Sequence, residues 1–98
     1  MHIKLYSQFT EEQKGLITFV DKDFSFEGKP YRIEAMSSID PFNKIGSSIF
    51  STIALYDSEN NLVYHEVYTT MLLKRQLQEA CNTISGAPIL FIKKVNNN

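Results

Sequence analysis

Few residues in this chain are suited to catalysis. The 98-residue sequence contains two histidines, His2 and His65, and a single cysteine, Cys81. His65 is followed by Glu66, but neighbours in a strand point to opposite faces, so these two side chains do not pair through adjacency. Cys81 lies beside the apolar stripe of a predicted helix, where a cysteine usually acts as a small buried hydrophobe. We therefore predict that the chain is not an enzyme; a Cys–His pair across the fold is an alternative that no pattern in the sequence favours.

Metal and cofactor sites are not indicated by the sequence either. One cysteine excludes an internal disulfide and a multi-cysteine metal site. There is no glycine-rich phosphate loop and no metal-ligand spacing. Asp21, Asp23 and Glu27 cluster where we predict a turn, and turn formation explains their spacing. We expect no metal and no cofactor.

Aromatic side chains in the predicted strands carry the main functional signal. Rings on a sheet with cations nearby suit single-stranded nucleic acid, because each stacked base contributes about 1–3 kcal/mol and the cations hold phosphates. Two other interpretations stay open: the rings pack in the core, or an exposed strip of rings binds another protein. The residues predicted to contact nucleic acid are Phe26, Lys29, Tyr31, Arg32, Lys44, Phe50, Tyr56, Tyr64 and Tyr68.

Composition and charge narrow the classes of partner. The formal net charge is −1, so the chain lacks the unpaired cations needed for tight binding to duplex DNA or to an anionic membrane. No apolar run approaches the roughly 20 residues of a membrane helix, and the N-terminus lacks the apolar stretch of a secretion signal. We therefore expect a cytoplasmic protein, of a cell or of a phage-infected cell. The length predicts one domain, residues 1–95, followed by a disordered tail, residues 96–98.

Short strands are predicted through the N-terminal half of the chain. Residues 10–13 have capping-box spacing and allow one helical turn. Residues 21–23 are expected to turn the chain, and residues 28–30 are expected to join two strands as a hairpin. Pro30 lacks an N–H group and therefore belongs at a strand start or edge. The predicted strands of this half are residues 3–6, 16–20, 24–27 and 31–35.

A second hairpin gives the strongest local pattern. Residues 49–56 and 62–68 alternate in polarity on either side of turn-forming residues, and the register decides which face each side chain occupies. The register with Glu66 opposite Ile53 would bury a charge without an evident partner. We therefore predict that Tyr56 lies opposite Leu62. That register places His65 among the aliphatic residues of a core face, and its outer face carries Phe50, Tyr56, Tyr64, Glu66 and Tyr68.

The C-terminal part is predicted to form the helix of the domain. Thr69 or Thr70 can cap its start, and Gly86 followed by Pro88 ends it. Residues 89–92 are apolar on both faces and are predicted to form a central strand, with solvent exposure from Lys93 onward. Between the two predicted hairpins, residues 37–48 are predicted to form a long loop. The apolar stripe of the helix comprises Leu73, Leu77, Ala80 and Ile84.

These patterns predict a β-rich α+β fold. We expect a small antiparallel sheet, or a partly open OB-like barrel of five or six strands, with one C-terminal helix packed against it.

Several stretches also match a known pattern of strands and turns. They are residues 15–19 (GLITF), 25–26 (SF), 33–35 (IEA), 51–57 (STIALYD) and 62–64 (LVY), followed by a helix. In this order they resemble the single-stranded-DNA-binding proteins of protein-primed bacteriophages, which are small OB-fold proteins. That family closes its barrel with a hairpin after the helix, whereas one strand is predicted here, so either the strand at residues 3–6 replaces the missing strand or the barrel stays open. The resemblance implies cooperative coating of displaced single strands, with Phe26, Tyr56 and Tyr64 as contacts.

The first functional hypothesis is therefore a non-catalytic single-stranded nucleic-acid-binding protein of phage or mobile-element origin, acting in DNA replication. The alternative is a small protein-binding module, or an inhibitor of a host protein, that uses the aromatic strand face. A homo-oligomer whose outer face pairs with itself is a third possibility.

Overall fold

The two predicted hairpins are present and form one sheet. The computed structural model describes residues 3–38 and 50–92, so Lys44, most of the predicted loop and the tail lie outside the described residues. Four antiparallel strands follow one another in the order β1-β2-β3-β4, which confirms the β-rich α+β class. Their bounds are β1 (Ile17–Phe26), β2 (Lys29–Ser38), β3 (Ser51–Asp57) and β4 (Leu62–Tyr68). The helices are α1 (Glu11–Lys14) and α2 (Lys74–Gly86), and short 3₁₀ turns occupy Tyr6–Gln8 and Pro88–Leu90.

The first hairpin is longer and its turn tighter than predicted. Only Glu27 and Gly28 separate the two strands, with φ of 54° and 79°, as a two-residue turn of the I′ kind requires. Residues 21–23 do not turn the chain but continue β1 opposite residues 32–34 of β2. Their alternating charges are accommodated by Arg32, which pairs with Asp21 and Asp23 across the strands.

The second hairpin contains a β-bulge that the sequence pattern did not indicate. Tyr56 lies opposite Leu62 as predicted, but Leu55 lies opposite Tyr64, so Val63 is an extra residue in β4. Every residue of β4 after Val63 is therefore shifted by one position, which exchanges its two faces. Glu66 consequently lies opposite Ile53, in the register that the sequence analysis rejected.

Helix α2 packs on one face of the sheet and completes the main core. Leu77, Cys81 and Ile84 are buried against aliphatic residues of β2 and β3. The expected stripe is therefore correct at Leu77 and Ile84, but Leu73 is 55% exposed at the start of the helix. The predicted threonine caps are wrong, since the N-cap residue is Leu73 and its N–H group donates to Gln76 Oε1 at 2.8 Å. The helix ends at Gly86, as predicted.

Two predicted strands are replaced by tight turns. Residues 89–92 follow Pro88, which begins a 3₁₀ turn, and the N–H groups of Phe91 and Ile92 both donate to the Pro88 carbonyl. These local bonds compete with strand pairing. Residues 3–6 likewise form no strand, because Tyr6 starts the other 3₁₀ turn. Within residues 3–38 and 50–92 the sheet is open and has four strands.

The face of the sheet opposite α2 is covered by residues 3–16, here called the N-terminal segment. The ring of Tyr6 stacks on Phe19 with 3.9 Å between centroids, and Phe9 is buried. The single turn of α1 within this segment is capped by Thr10 and Gln13, as the capping-box spacing predicted. Beneath the segment lie Met36, Ala54 and Tyr56, all almost fully buried. The central strands β2 and β3 are therefore buried on both faces.

Neither helix of the described residues combines the length and apolar character that a membrane-spanning helix needs.

The core packing of α2 leads to a stability prediction. Leu77 is fully buried in the main core, so Leu77→Ala should lower the free energy of unfolding by about 2–5 kcal/mol through lost burial and a cavity. Leu73→Ala removes the same atoms from an exposed position and should cost under about 0.5 kcal/mol. Urea unfolding followed by circular dichroism measures both. Equal losses would contradict the core assignment.

Candidate interaction surface

The nucleic-acid contacts predicted from the sequence do not share one face of the sheet. Tyr56 lies under the N-terminal segment, whereas Tyr64 and Tyr68 lie on the face that carries α2. The predicted outward face of Tyr56, Tyr64 and Tyr68 is therefore wrong, and the bulge at Val63 is the physical reason. Phe50 is half-buried, and its N–H group donates to the Tyr68 carbonyl at 2.8 Å.

Tyr56 is held inside the protein. Only 2% of the residue is exposed, and its hydroxyl donates to the Ile3 carbonyl at 3.3 Å. Burial, and then the negative charge of Glu34, raises the pKa of Tyr56 to about 12. The ring therefore fastens the N-terminal segment to the sheet and presents no stacking surface to a base.

Arg32 is surrounded by carboxylates. Its guanidinium lies 2.6 Å from Asp21, 3.3 Å from Asp23 and 3.0 Å from Glu34. Three acidic partners more than neutralise this cation, so its predicted role as a phosphate contact has no support in the geometry.

Glu66 has partners on its own strand. The hydroxyls of Tyr64 and Tyr68 both donate to its carboxylate, because residues two apart in a strand share a face. The hydrogen bond to Glu66, followed by burial, raises the pKa of Tyr68 to about 12. Burial, followed by the same kind of hydrogen bond, raises the pKa of Tyr64. In the observed register the Glu66 carboxylate therefore does have partners, and these are the two tyrosine hydroxyls.

The catalytic alternatives are not assembled by the fold. Cys81 is buried on the α2 side, while His65 is exposed on the opposite side of the sheet and not on the predicted core face. Burial, and then the charge of Asp21, raises the pKa of Cys81 to about 11, which keeps the thiol protonated near neutral pH. Among residues 3–38 and 50–92, no three His, Cys, Asp or Glu side chains are grouped so that they could hold a metal ion.

Aromatic rings gather at one end of the α2 face. Both hairpin turns and the C-terminal end of α2 lie at this end, here called the turn end. Tyr31 stacks on Phe24 at 5.6 Å and meets Phe26 edge-on at 6.4 Å between centroids. Tyr64 meets Phe91 edge-on at 5.0 Å. All five rings are half-buried and so keep part of their surface in solvent.

Two exposed aliphatic side chains precede Phe91 in the chain, in the 3₁₀ turn that follows α2. Ile89 and Leu90 follow α2 directly and are 66% and 69% exposed, an unusual exposure for large aliphatic residues. Sequence reasoning missed them, along with Phe91, because residues 89–92 were assigned to a central strand. Pro88 directly after the helix was the available signal for a turn in their place.

Carboxylates outnumber cations at the turn end. Among the described residues, Glu27, Asp57 and Glu59 lie in or beside its two turns, and Lys29 is the cation there. Burial raises the pKa of Asp57, but the hydrogen bonds from Asn61 and Glu59 together outweigh it and lower this pKa overall. This end is therefore apolar in its centre and acidic at its rim.

Comparison with known proteins does not place the chain. No protein-family model matches it, and neither a curated protein nor a solved structure matches it. Its function must therefore be inferred from its own geometry.

The burial of Tyr56 leads to a prediction at alkaline pH. A tyrosine whose folded pKa is raised from 10 to about 12 stabilises the fold fully below about pH 10, and this stability is lost as pH rises through 12. Between about pH 8 and pH 11, Tyr56→Phe should lose about 1 kcal/mol less stability than the wild type. Urea unfolding at pH 8 and at pH 11 gives the change in the free energy of unfolding for each protein, and these two changes are compared. Equal losses would show that Tyr56 ionises normally in the folded state.

Proposed function

We propose that this chain is a non-catalytic protein-binding module that uses the turn end to bind a basic segment of a partner protein. The observation that carries the proposal is the exposure of Ile89 and Leu90 beside half-buried aromatic rings. Aromatic and aliphatic side chains in a cluster are the usual centre of a protein interface. Polar residues around that centre exclude water and select the partner.

The charge of the turn end indicates the chemistry of that partner. Among the described residues, Glu27, Asp57 and Glu59 lie in or beside the two turns with Lys29 as the cation, a balance that favours a basic segment over a polyanion. Such rim charges mainly accelerate association and make it sensitive to salt. We also propose that the protein acts in the cytoplasm.

The test compares two matched double variants in partner capture. Ile89→Ser with Leu90→Ser removes the aliphatic centre, and Met71→Ser with Leu73→Ser makes the same change at exposed positions before α2. Tagged proteins are incubated with nuclease-treated lysate of the cells in which the protein occurs. We expect the wild type and the Met71/Leu73 variant to recover one stoichiometric basic protein, in amounts that fall with salt, and the Ile89/Leu90 variant to recover at least tenfold less.

Recovery that is equal for the two double variants would overturn this proposal. Circular dichroism of both variants checks that each remains folded, so that a loss of capture is not a loss of structure.

Single-stranded nucleic-acid binding is the second candidate, favoured by one observation. The stacked pair of Phe24 and Tyr31, with Phe26 edge-on and Lys29 exposed nearby, is a small platform of the kind that stacks bases. This candidate includes the OB-like barrel of five or six strands, the phage or mobile-element origin and the role in replication that the resemblance implies.

Fluorescence anisotropy with labelled oligo-dT across a salt series tests this second candidate. Loss of one stacking ring in Tyr31→Ala should weaken affinity about 5- to 150-fold. Lys29→Ala should reduce the salt dependence by about one phosphate contact. Lys74→Ala, at the far end of α2, is the control and should change neither quantity. A wild-type protein that binds no oligo-dT at low salt would eliminate the candidate.

A further inference from the structure

Strand β4 forms one edge of the sheet, and its outward backbone groups can be identified. The Ser38 N–H group donates to the Phe50 carbonyl, so in β3 the polar groups of Thr52 and Ala54, two and four residues further on, are directed at β2. The alternate residues Ser51, Ile53 and Leu55 direct their N–H and C=O groups at β4. Their partners there are Tyr68, Glu66 and Tyr64. The N–H and C=O groups of His65 and Val67 therefore point away from the sheet. No strand among residues 3–38 and 50–92 pairs with them.

Apart from the bulge at Val63, this edge carries little of the usual protection against strand pairing, and β4 contains no lysine or proline. Natural edge strands are commonly blocked by lysine, proline or inward charges. The other edge, β1, carries Asp21, Lys22 and Asp23, whereas β4 has one ionised residue, Glu66, whose carboxylate is occupied by two tyrosines on the α2 side. On the face of β4 opposite α2 lie Val63 and Val67, which are 36% and 39% exposed, with His65 between them.

We propose that β4 pairs antiparallel with β4 of a second copy of this chain, about a two-fold axis through His65. The sequence Val63-Tyr64-His65-Glu66-Val67 is complementary to itself in that register. Each Val63 faces Val67 of the second copy on one side of the sheet. Each Tyr64 faces Glu66 of the second copy on the other side, so an uncharged ring lies opposite each carboxylate and no like charges meet. The two four-stranded sheets become one sheet of eight strands.

Backbone direction and charge select this register over its neighbours. A shift that brings His65 opposite Glu66 would pair outward groups with inward ones and break the ladder. An axis through Glu66 would restore the hydrogen bonds but would set two carboxylates opposite each other, which is destabilising. An axis through His65 keeps the outward groups of His65 and Val67 bonded and the carboxylates apart.

Helix α2 does not obstruct this approach. It packs mainly over β1 and β2, which are the strands farthest from the β4 edge in the strand order. The pairing also leaves the turn end free, so this proposal stands or fails separately from the proposed function.

Disulfide trapping tests both the dimer and its register. In a hydrogen-bonded antiparallel pair the Cα atoms are about 5.5 Å apart, which lies within the range a disulfide can bridge. Under mild oxidation, His65→Cys should form a covalent dimer of twice the 11.3 kDa chain mass at least tenfold faster than Asp23→Cys on the β1 edge. The native Cys81 is buried and should not contribute. Light scattering of the wild type should show a dimer that dissociates on dilution, and Val67→Lys should shift it to monomer.

Three results would overturn the proposal. One is a wild type that stays monomeric across the concentrations used for trapping. Another is trapping of Asp23→Cys, or of Glu66→Cys, at a rate equal to or above that of His65→Cys. The third is a monomer whose His65 amide is protected from hydrogen exchange, because the edge would then be occupied by something other than a second copy. Circular dichroism confirms that each variant is folded.

Discussion

The carboxylate of Glu34 joins the sheet to the segment that covers its second face. It is 3% exposed, accepts a hydrogen bond from the Tyr6 N–H group at 2.8 Å, and accepts another from Arg32 Nε at 3.0 Å. A buried carboxylate is costly unless its oxygens are bonded and its charge is paired. Arg32 extends the same network to Asp21 and Asp23 of β1. Together with the Tyr56–Ile3 hydrogen bond and the stacking of Tyr6 on Phe19, this carboxylate holds the cover over the second face of β2 and β3 in place.

That double burial determines where recognition can occur. Once α2 covers one face and the N-terminal segment covers the other, rings in the central strands are no longer available to a ligand, as Tyr56 shows. Exposed apolar side chains lie instead at the periphery, among them Leu90 at the turn end and Val67 at the β4 edge. In a four-stranded sheet covered on both faces, function is expected at ends and edges rather than across a face.

The sequence predicted those elements whose signals are local. The capping pair of Thr10 and Gln13 and the helical period through Leu77 and Ile84 act within a few residues and are found as expected. The failures involve competition between distant parts of the chain. The local pattern of residues 21–23 is typical of a turn, but pairing with Arg32 of β2 stabilises these residues in a strand. The N-terminal segment looks like a strand until Glu34 binds its backbone.

The register of β4 was missed for a different reason. Glu66 was excluded from the core side because a buried charge needs a partner, yet tyrosines two residues before and after it must lie on its own face of any strand. The partners of Glu66 were therefore present in the pattern Tyr64-x-Glu66-x-Tyr68, whichever face the strand turned inward. Satisfying the carboxylate in this way removes the penalty for the bulge at Val63. The bulge then places Tyr64 against Phe91 at the turn end. It leaves Val63, His65 and Val67 exposed on the face of β4 opposite α2. One extra residue in β4 thus contributes to both of the surfaces proposed above as binding sites.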